Sequence, residues 1–101
     1  MDLLDNIKEI ASSLNEKYPE GNEPSKIISR LSEALGELAK VVNHYTKSSV
    51  RDDKKNSLVR IKVAGECRDA VRSIMQIVDY YDLGKEFTSE VEKTYSEIVK
   101  E

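Results

Sequence analysis

Two pairs of acidic residues stand at helical spacing in this chain of 101 residues. Glu33 and Glu37 are four apart, and Glu66 and Asp69 follow after 28 intervening residues and are three apart. Residues at these spacings share one helix face, so each pair can converge on one point. Four carboxylates brought together by two packed helices repel one another unless a hard cation lies between them. The spacing therefore predicts a site for Mg²⁺, or for Mn²⁺.

The residues around these pairs resemble a known family. The segment Ser32–Ala39 and the later run Glu66–Asp69 are similar to the all-α nucleoside triphosphate pyrophosphatases of MazG type. That family has two adjacent glutamates, two spacers and a third glutamate, followed after a gap by ExxD. Glu33 matches the first glutamate and Glu37 the third. The likeness covers about residues 25–84, because the aliphatic run after Asp69 and its ending at 79–84 also fit.

The resemblance implies an activity and a set of roles. A Mg²⁺-dependent enzyme of this kind splits a nucleoside triphosphate between the α- and β-phosphates, giving the monophosphate and pyrophosphate, and clears non-canonical nucleotides. Glu37, Glu66 and Asp69 would hold the metal, and Glu33 would orient the attacking water or complete the metal's ligands. One position departs from the pattern, since Ala34 stands where the family has its second glutamate, a metal ligand.

Basic residues near the acidic pairs are candidates for binding phosphate. Lys40, Lys62 and Arg72 lie about one turn from the acidic positions. They either grip a triphosphate or form helix ion pairs worth about 0.3–0.5 kcal/mol. The resemblance also implies Lys, Asn and Arg near the last helix. Lys93 matches the lysine, but no Asn or Arg follows it.

The other reactive side chains are expected to have structural roles. His44 is the sole histidine and is expected to cap a helix or lie at the surface. A di-iron bundle would need two Glu-x-x-His motifs, and the sequence has none. Cys67 lies on an apolar stripe and is expected in the core. Tyr80 and Tyr81 are expected in the core, with base stacking as the alternative.

The composition indicates which partners and which cellular compartment are expected. The chain is 39% hydrophobic and 35% charged, has a net charge of −3 and contains one cysteine. An acidic balance argues against a nucleic-acid polymer as partner, because phosphate backbones require a basic surface. A single cysteine fits a reducing cytoplasm. No apolar run approaches about 20 residues, so no membrane span is expected.

Apolar spacings of three and four predict four helices and no strand. Pro19 to Glu23 breaks the chain after the first helix, Pro24 opens the second, and the polar segment 46–56 is expected to be a loop. Gly84 is expected to end the third helix as a left-handed cap. The predicted bounds are about Asp2–Tyr18, Pro24–Tyr45, a start between Asp52 and Ser57 running to Asp82, and Lys85–Val99.

Four amphipathic helices in 101 residues predict one domain over residues 1–101, an all-α antiparallel four-helix bundle. The second and third helices are longer than a small bundle needs, so their apolar stripes are expected to pair with another subunit in a homodimer or homotetramer. Two functions stay open. One is the pyrophosphatase, and the other is a weakened or inactive bundle that binds nucleotides or other proteins.

Overall fold

The computed structural model describes residues 2–45 and 57–100. These residues form four α-helices and one short 3₁₀ turn, with no strand among them, so the predicted all-α class is confirmed. The elements are α1 (Leu3–Lys17), the 3₁₀ turn (Pro19–Gly21), α2 (Pro24–Tyr45), α3 (Ser57–Tyr80) and α4 (Gly84–Ile98). The expected loop at 46–56 lies outside the described residues. No helix within the described ranges has the length and apolarity to cross a membrane.

Local sequence signals set the helix ends. Asp2 caps α1, accepting a hydrogen bond of 2.8 Å from the backbone N–H of Asp5, as expected of an acidic N-cap. Pro19 begins the 3₁₀ turn that separates α1 from α2, and Pro24 opens α2 where its missing N–H costs nothing.

The end of α3 differs from the prediction. The residue with left-handed backbone is Asp82, with φ of 53°, and no described glycine has positive φ. The N–H of Leu83 bonds to the carbonyl of Val78 at 2.9 Å, and that of Asp82 to Asp79 at 3.1 Å. These two bonds form a Schellman motif with Asp82 at its left-handed position. The prediction that Gly84 is this cap was wrong, because Gly84 is already the first residue of α4.

The helix α3 is the centre of the fold. Both α1 and α2 pack along it, whereas α4 touches it only slightly. Among the described residues, those that are fully or nearly buried are few, and three of them are polar. They are Ala11, Asn22, Ile27, Val41, Ala70, Ser73, Met75 and Gln76.

A polar network joins the three packed helices. Gln76, which is 1% exposed, donates to the Oδ1 atoms of Asn15 at 3.0 Å and Asn22 at 2.8 Å. Asn15 donates in return to the backbone carbonyl of Gln76 at 3.0 Å and to Asp79 at 2.9 Å. Asn22 bonds to the last turn of α1 through the carbonyls of Leu14 and Tyr18. The guanidinium of Arg30 completes the network on the Asn22 side chain.

The stripe predicted for the third helix is mostly not buried within the chain. The apolar spacing predicts a stripe of Leu58, Ile61, Ala64, Cys67, Val71, Ile74, Val78 and Tyr81, widened by Met75 and Ile77. Met75 is buried, and Ile77 and Val78 are half-buried, whereas the other seven residues are exposed. The side of α3 that packs inward carries instead Val59, Val63, Ala70, Ser73 and Gln76. Cys67 as a core residue was therefore wrong, since its thiol is exposed and free. Tyr80 and Tyr81 are also exposed, with their rings edge to face at 5.1 Å.

Candidate functional site

The four predicted carboxylates lie on the two helices that pack against each other, α2 and α3. Glu33 and Glu37 are exposed on α2, and Glu66 and Asp69 are half-buried on α3. Partial burial lowers the solvation of both carboxylates, and Asp69 is compensated by the nearby guanidinium groups of Arg68 and Arg72. The α3 pair is therefore the more constrained half of the predicted site.

Viewed down the helix axis, each acidic pair lies to one side of the buried residues of its helix. At about 100° per residue, Glu33 and Glu37 lie about 120° and 80° from the buried Ile27, in the same rotational direction. Glu66 and Asp69 lie about 40° and 100° from the buried Ala70, again in that direction. Ala34 is half-buried and only about 20° from Ile27, so it faces almost directly inward.

Cationic side chains neutralise the carboxylates locally. Asp69 Oδ1 accepts a hydrogen bond from Arg68 Nε at 3.0 Å and lies 3.6 Å from Arg72 Nη1. Glu37 lies 3.8 Å from the ammonium of Lys40, and both of these side chains are largely exposed. Exposed pairs of this kind contribute between 0 and about 1 kcal/mol. The described residues contain no group of three His, Cys, Asp or Glu side chains close enough to share a metal ion.

The predicted phosphate-binding residues are dispersed. Lys40 and Lys62 are exposed on α2 and α3, and Lys93 is exposed on α4, which has only slight contact with α3. Arg72 differs from them because it is half-buried beside Asp69, and its Nε has no hydrogen-bond partner among the described residues. Of these four cations, Arg72 and Lys40 lie beside a predicted acidic residue, and Arg72 is the half-buried one.

Two further observations concern residues near the site. A Cβ added at Gly65 would meet only the Arg68 side chain, at 3.7 Å, so no other part of the described chain uses the space beside Glu66. The side chain of His44 lies outside the described residues. The Gln76 network is not predicted by the sequence pattern, although Asn22, in a turn after a helix, is a typical capping residue and therefore a usable signal.

Comparisons with models of protein families, with curated proteins and with solved structures returned no match. The likeness to MazG-type pyrophosphatases therefore rests on the spacing of Glu33, Glu37, Glu66 and Asp69 and on the residues around them.

Proposed function

We propose that this protein is a Mg²⁺-dependent nucleoside triphosphate pyrophosphohydrolase. It would hydrolyse the bond between the α- and β-phosphates and release a nucleoside monophosphate and pyrophosphate, with non-canonical nucleotides as candidate substrates. The observation that carries the proposal is the half-burial of Glu66 and Asp69, one turn apart on α3, in a helix that packs against the one bearing Glu33 and Glu37.

The relative direction of α2 and α3 supports a shared site. Asn22, just before α2, bonds to Gln76 near the end of α3, so we infer that the two helices run antiparallel, as in the expected bundle. Consider two antiparallel helices that face each other. Residues that are rotated away from the facing line in the same direction on each helix lie on the same side of the helix pair. Taking the buried Ile27 and Ala70 as the facing lines of the two helices, we infer that all four carboxylates lie on one side of the α2–α3 pair, which we call the acidic side: Glu33, Glu37, Glu66 and Asp69.

The residue types suit the proposed ion, because Mg²⁺ prefers carboxylate oxygens and substrate phosphates. No three acidic side chains of the described residues are close enough to share one ion in this structure, so binding would require Glu37, Glu66 and Asp69 to move together. Glu37, Glu66 and Asp69 would hold it, and it would supply charge neutralisation of the phosphates and activation of water. Glu33 would accept a hydrogen bond from the attacking water and orient it. Mn²⁺ has the same ligand preference and would serve as a substitute.

In the proposed function, Arg72 and Arg68 would bind the phosphates of the substrate. With Asp69 engaged by the cation, their guanidinium groups are free to bind phosphate oxygens, which arginine does in bidentate fashion. Lys40 and Lys62 would add positive charge from the exposed rims. Lys93 can take part only if α4 comes closer to the acidic side than its slight contact with α3 indicates.

The second candidate function is a non-catalytic bundle that binds nucleotides or another protein. Two observations favour it, namely Ala34 in the place of a ligand and the pairing of Asp69 and Glu37 with cations of their own helices. The proposal further takes the protein to be a homodimer or homotetramer in the cytoplasm. The exposed apolar surface supports the homo-oligomer, and the single cysteine supports the cytoplasmic location.

Pyrophosphate release from a panel of canonical and modified nucleoside triphosphates, with and without Mg²⁺, tests the enzyme. We expect Mg²⁺-dependent release that Glu66→Gln abolishes. The matched control is Glu16→Gln, an exposed glutamate on α1, which should keep full activity. Nucleotide binding without turnover would support the second candidate function, and release that Glu66→Gln leaves unchanged would place the activity elsewhere.

A further inference from the structure

The last helix, α4, has an apolar stripe that the rest of the described chain leaves largely uncovered. At about 100° per residue, Phe87, Tyr95 and Ile98 lie within about 40° of Val91. We call these four residues the α4 stripe. Val91, Tyr95 and Ile98 are 53%, 50% and 74% exposed, and Phe87 is half-buried. The homo-oligomer proposed above would cover apolar residues of α2 and α3, so it leaves the α4 stripe without an occupant.

The position of α4 explains this exposure. Its contact with α3 is slight, and only the three residues 81–83 connect the two helices. An amphipathic helix in a small domain normally turns its apolar side toward the core. On α4 every residue except Phe87 is exposed, so the helix presents its stripe to solvent.

The spacing of the α4 stripe fits a second helix. Its members follow one another at intervals of four, four and three residues, which is the spacing of the seam between two packed helices. They span about 16 Å, or three turns, at a rise of about 1.5 Å per residue. Phe87, Val91 and Tyr95 also line an open groove with Glu90 and Thr94. An amphipathic helix of three or more turns would bury such a stripe.

The charges beside the α4 stripe are mostly negative. Four glutamates lie about 100–140° from Val91, three on one side of the stripe and one on the other. They are Glu86, Glu90 and Glu97 on the first side and Glu92 on the second. The helix has two lysines, of which Lys93 lies about 160° from Val91 and Lys85 borders the stripe at the first turn. The stripe is thus an apolar line with acidic borders.

These borders decide which occupant fits. A second α4 would bring carboxylates against carboxylates, which disfavours pairing of the stripe with itself. Helices that lie on a bilayer have Lys and Arg along their polar side, and nucleic acids require a basic surface, so neither suits α4. A helix with basic residues beside its own apolar stripe would meet glutamates on both borders. The ring of Tyr95 also accepts a cation, since Lys100 Nζ lies 5.7 Å from its centroid.

We propose that α4 is a docking helix for a basic amphipathic helix of another protein. The partner's apolar residues would pack on Val91, Tyr95 and Ile98, and its Lys and Arg side chains would pair with Glu90 and Glu97. Because α4 has only slight contact with α3, the partner can bind without displacing the helices that carry the acidic side. The inference does not rest on the proposed pyrophosphatase activity.

A synthetic basic peptide tests the apolar part of this surface. The probe has about 18 residues, or five turns, with leucines at spacings of three and four and lysines elsewhere. Calorimetric titration of the full chain gives the Kd. We expect Tyr95→Ser to raise it on the order of tenfold or more, because a central aromatic residue is a typical hot spot. The matched control is Tyr80→Ser on α3, since the two tyrosines are 50% and 52% exposed, and it should keep the wild-type Kd.

A charge reversal tests the acidic borders. We expect Glu90→Lys to raise the Kd roughly threefold to tenfold and to weaken its dependence on salt, because an attraction becomes a repulsion. Glu16→Lys, at an exposed position of α1, should leave the Kd unchanged. The same peptide with glutamates in place of its lysines should not bind. Circular dichroism checks that each variant remains helical.

Several results would overturn the proposal. They are the absence of binding by the basic peptide, equal binding by the acidic peptide, and a Kd that neither Tyr95→Ser nor Glu90→Lys changes. If Tyr95→Ser lowers the mass of the protein in light scattering, a second copy covers the α4 stripe and the proposal also fails. The titration contains no nucleotide, so its outcome and that of the pyrophosphate assay are independent.

Discussion

At the scale of single residues, Ala34 decides how the acidic side can work. It is half-buried and lies only about 20° from the buried Ile27, so it points from α2 toward the packed interior. A carboxylate there would lie in a poorly solvated position, where an unpaired charge is costly. Alanine avoids that cost, and on the proposed function it leaves the metal with one protein ligand fewer and a water molecule in that place.

Ala34→Glu is therefore expected to act in opposite directions with and without the ion. Without Mg²⁺ the variant should lose about 1–3 kcal/mol of unfolding free energy, because a charge is placed beside other carboxylates. With Mg²⁺ it should recover that stability, bind the ion more tightly and hydrolyse faster. Chemical denaturation and pyrophosphate release measure the two effects. Ser29→Glu, exposed on the same helix, should show neither effect. Destabilisation that Mg²⁺ does not reverse would argue against a metal site.

Gln76 is the other residue whose surroundings predict a measurable effect. Its side-chain amide is the one group bonded to both Asn15 and Asn22, and its Oε1 is buried without a partner among the described residues. Gln76→Leu keeps the volume but removes the donor to both asparagines, so it should cost about 1–3 kcal/mol. Asn15→Leu should cost a similar amount.

A double-mutant cycle shows whether these two residues act together. In the double variant the unpaired partner is also gone, so we expect the loss to fall short of the sum by about 0.5–3 kcal/mol. Urea denaturation of the four proteins provides the free energies. Strict additivity would mean that the network seen between α1 and α3 contributes no coupling in solution.

Only part of the candidate site could be predicted from the sequence. The positions of Glu33, Glu37, Glu66 and Asp69 on α2 and α3 follow from spacing alone. The ion pairs of Asp69 with Arg68 and Arg72 do not, because several side chains of an exposed helix can reach each carboxylate and the packing selects among them. The partner of Gln76 is even less accessible to sequence, since Asn15 lies 61 positions away.

At the scale of elements, the left-handed residue after α3 has a direct test. Asp82 has φ of 53°, a conformation that glycine adopts without steric cost and aspartate less readily. Asp82→Gly should therefore raise the unfolding free energy by about 0.5–1 kcal/mol. Gly84 lies at the first position of α4 with open space around its Cα, so Gly84→Ala should be neutral or slightly stabilising.

Thermal denaturation distinguishes the two assignments of the cap. If Gly84 were the left-handed residue, alanine there would lower the stability by about 1 kcal/mol and Asp82→Gly would bring no gain. The sequence favoured Gly84 because glycine is the usual residue at this position. The structure has Asp82 there instead, because the chain begins α4 at Gly84, leaving only three residues between the helices.

The sequence predicts where the helices begin and end better than it predicts which side of each helix is buried. Proline at 19 and 24 and the spacing of apolar residues were sufficient for all four helices, with ends within about two residues. The buried side of α3 was not predicted, because this helix has apolar residues around much of its circumference. Its inward line includes Ser73 and Gln76, which a hydrophobic pattern does not select, and its strongest apolar line is the one left in solvent.

At the scale of the whole molecule, the small core and the large exposed apolar area belong to one explanation. Only five hydrophobic residues are buried in the described chain, too few to stabilise an 11.5 kDa domain comfortably. The long α2 and α3 are expected from sequence to pair with another subunit, and among the residues that the structure describes much of their apolar surface is exposed. On the proposed homo-oligomer, a second copy would supply the missing core by covering the exposed apolar residues of α2 and α3.

Stability that comes from association must depend on protein concentration. If the folded chain is held together as a dimer, each tenfold rise in concentration should add about 1.4 kcal/mol per mole of dimer. For a folding unit of about 200 residues that corresponds to a rise in Tm of roughly 2–4 °C. Ile74→Glu should have a lower Tm that no longer changes with concentration, whereas Ile10→Glu should keep the wild-type slope. Scanning calorimetry over a hundredfold range of concentration measures this, and a wild-type Tm that stays constant over that range would mean that the single chain folds without a partner.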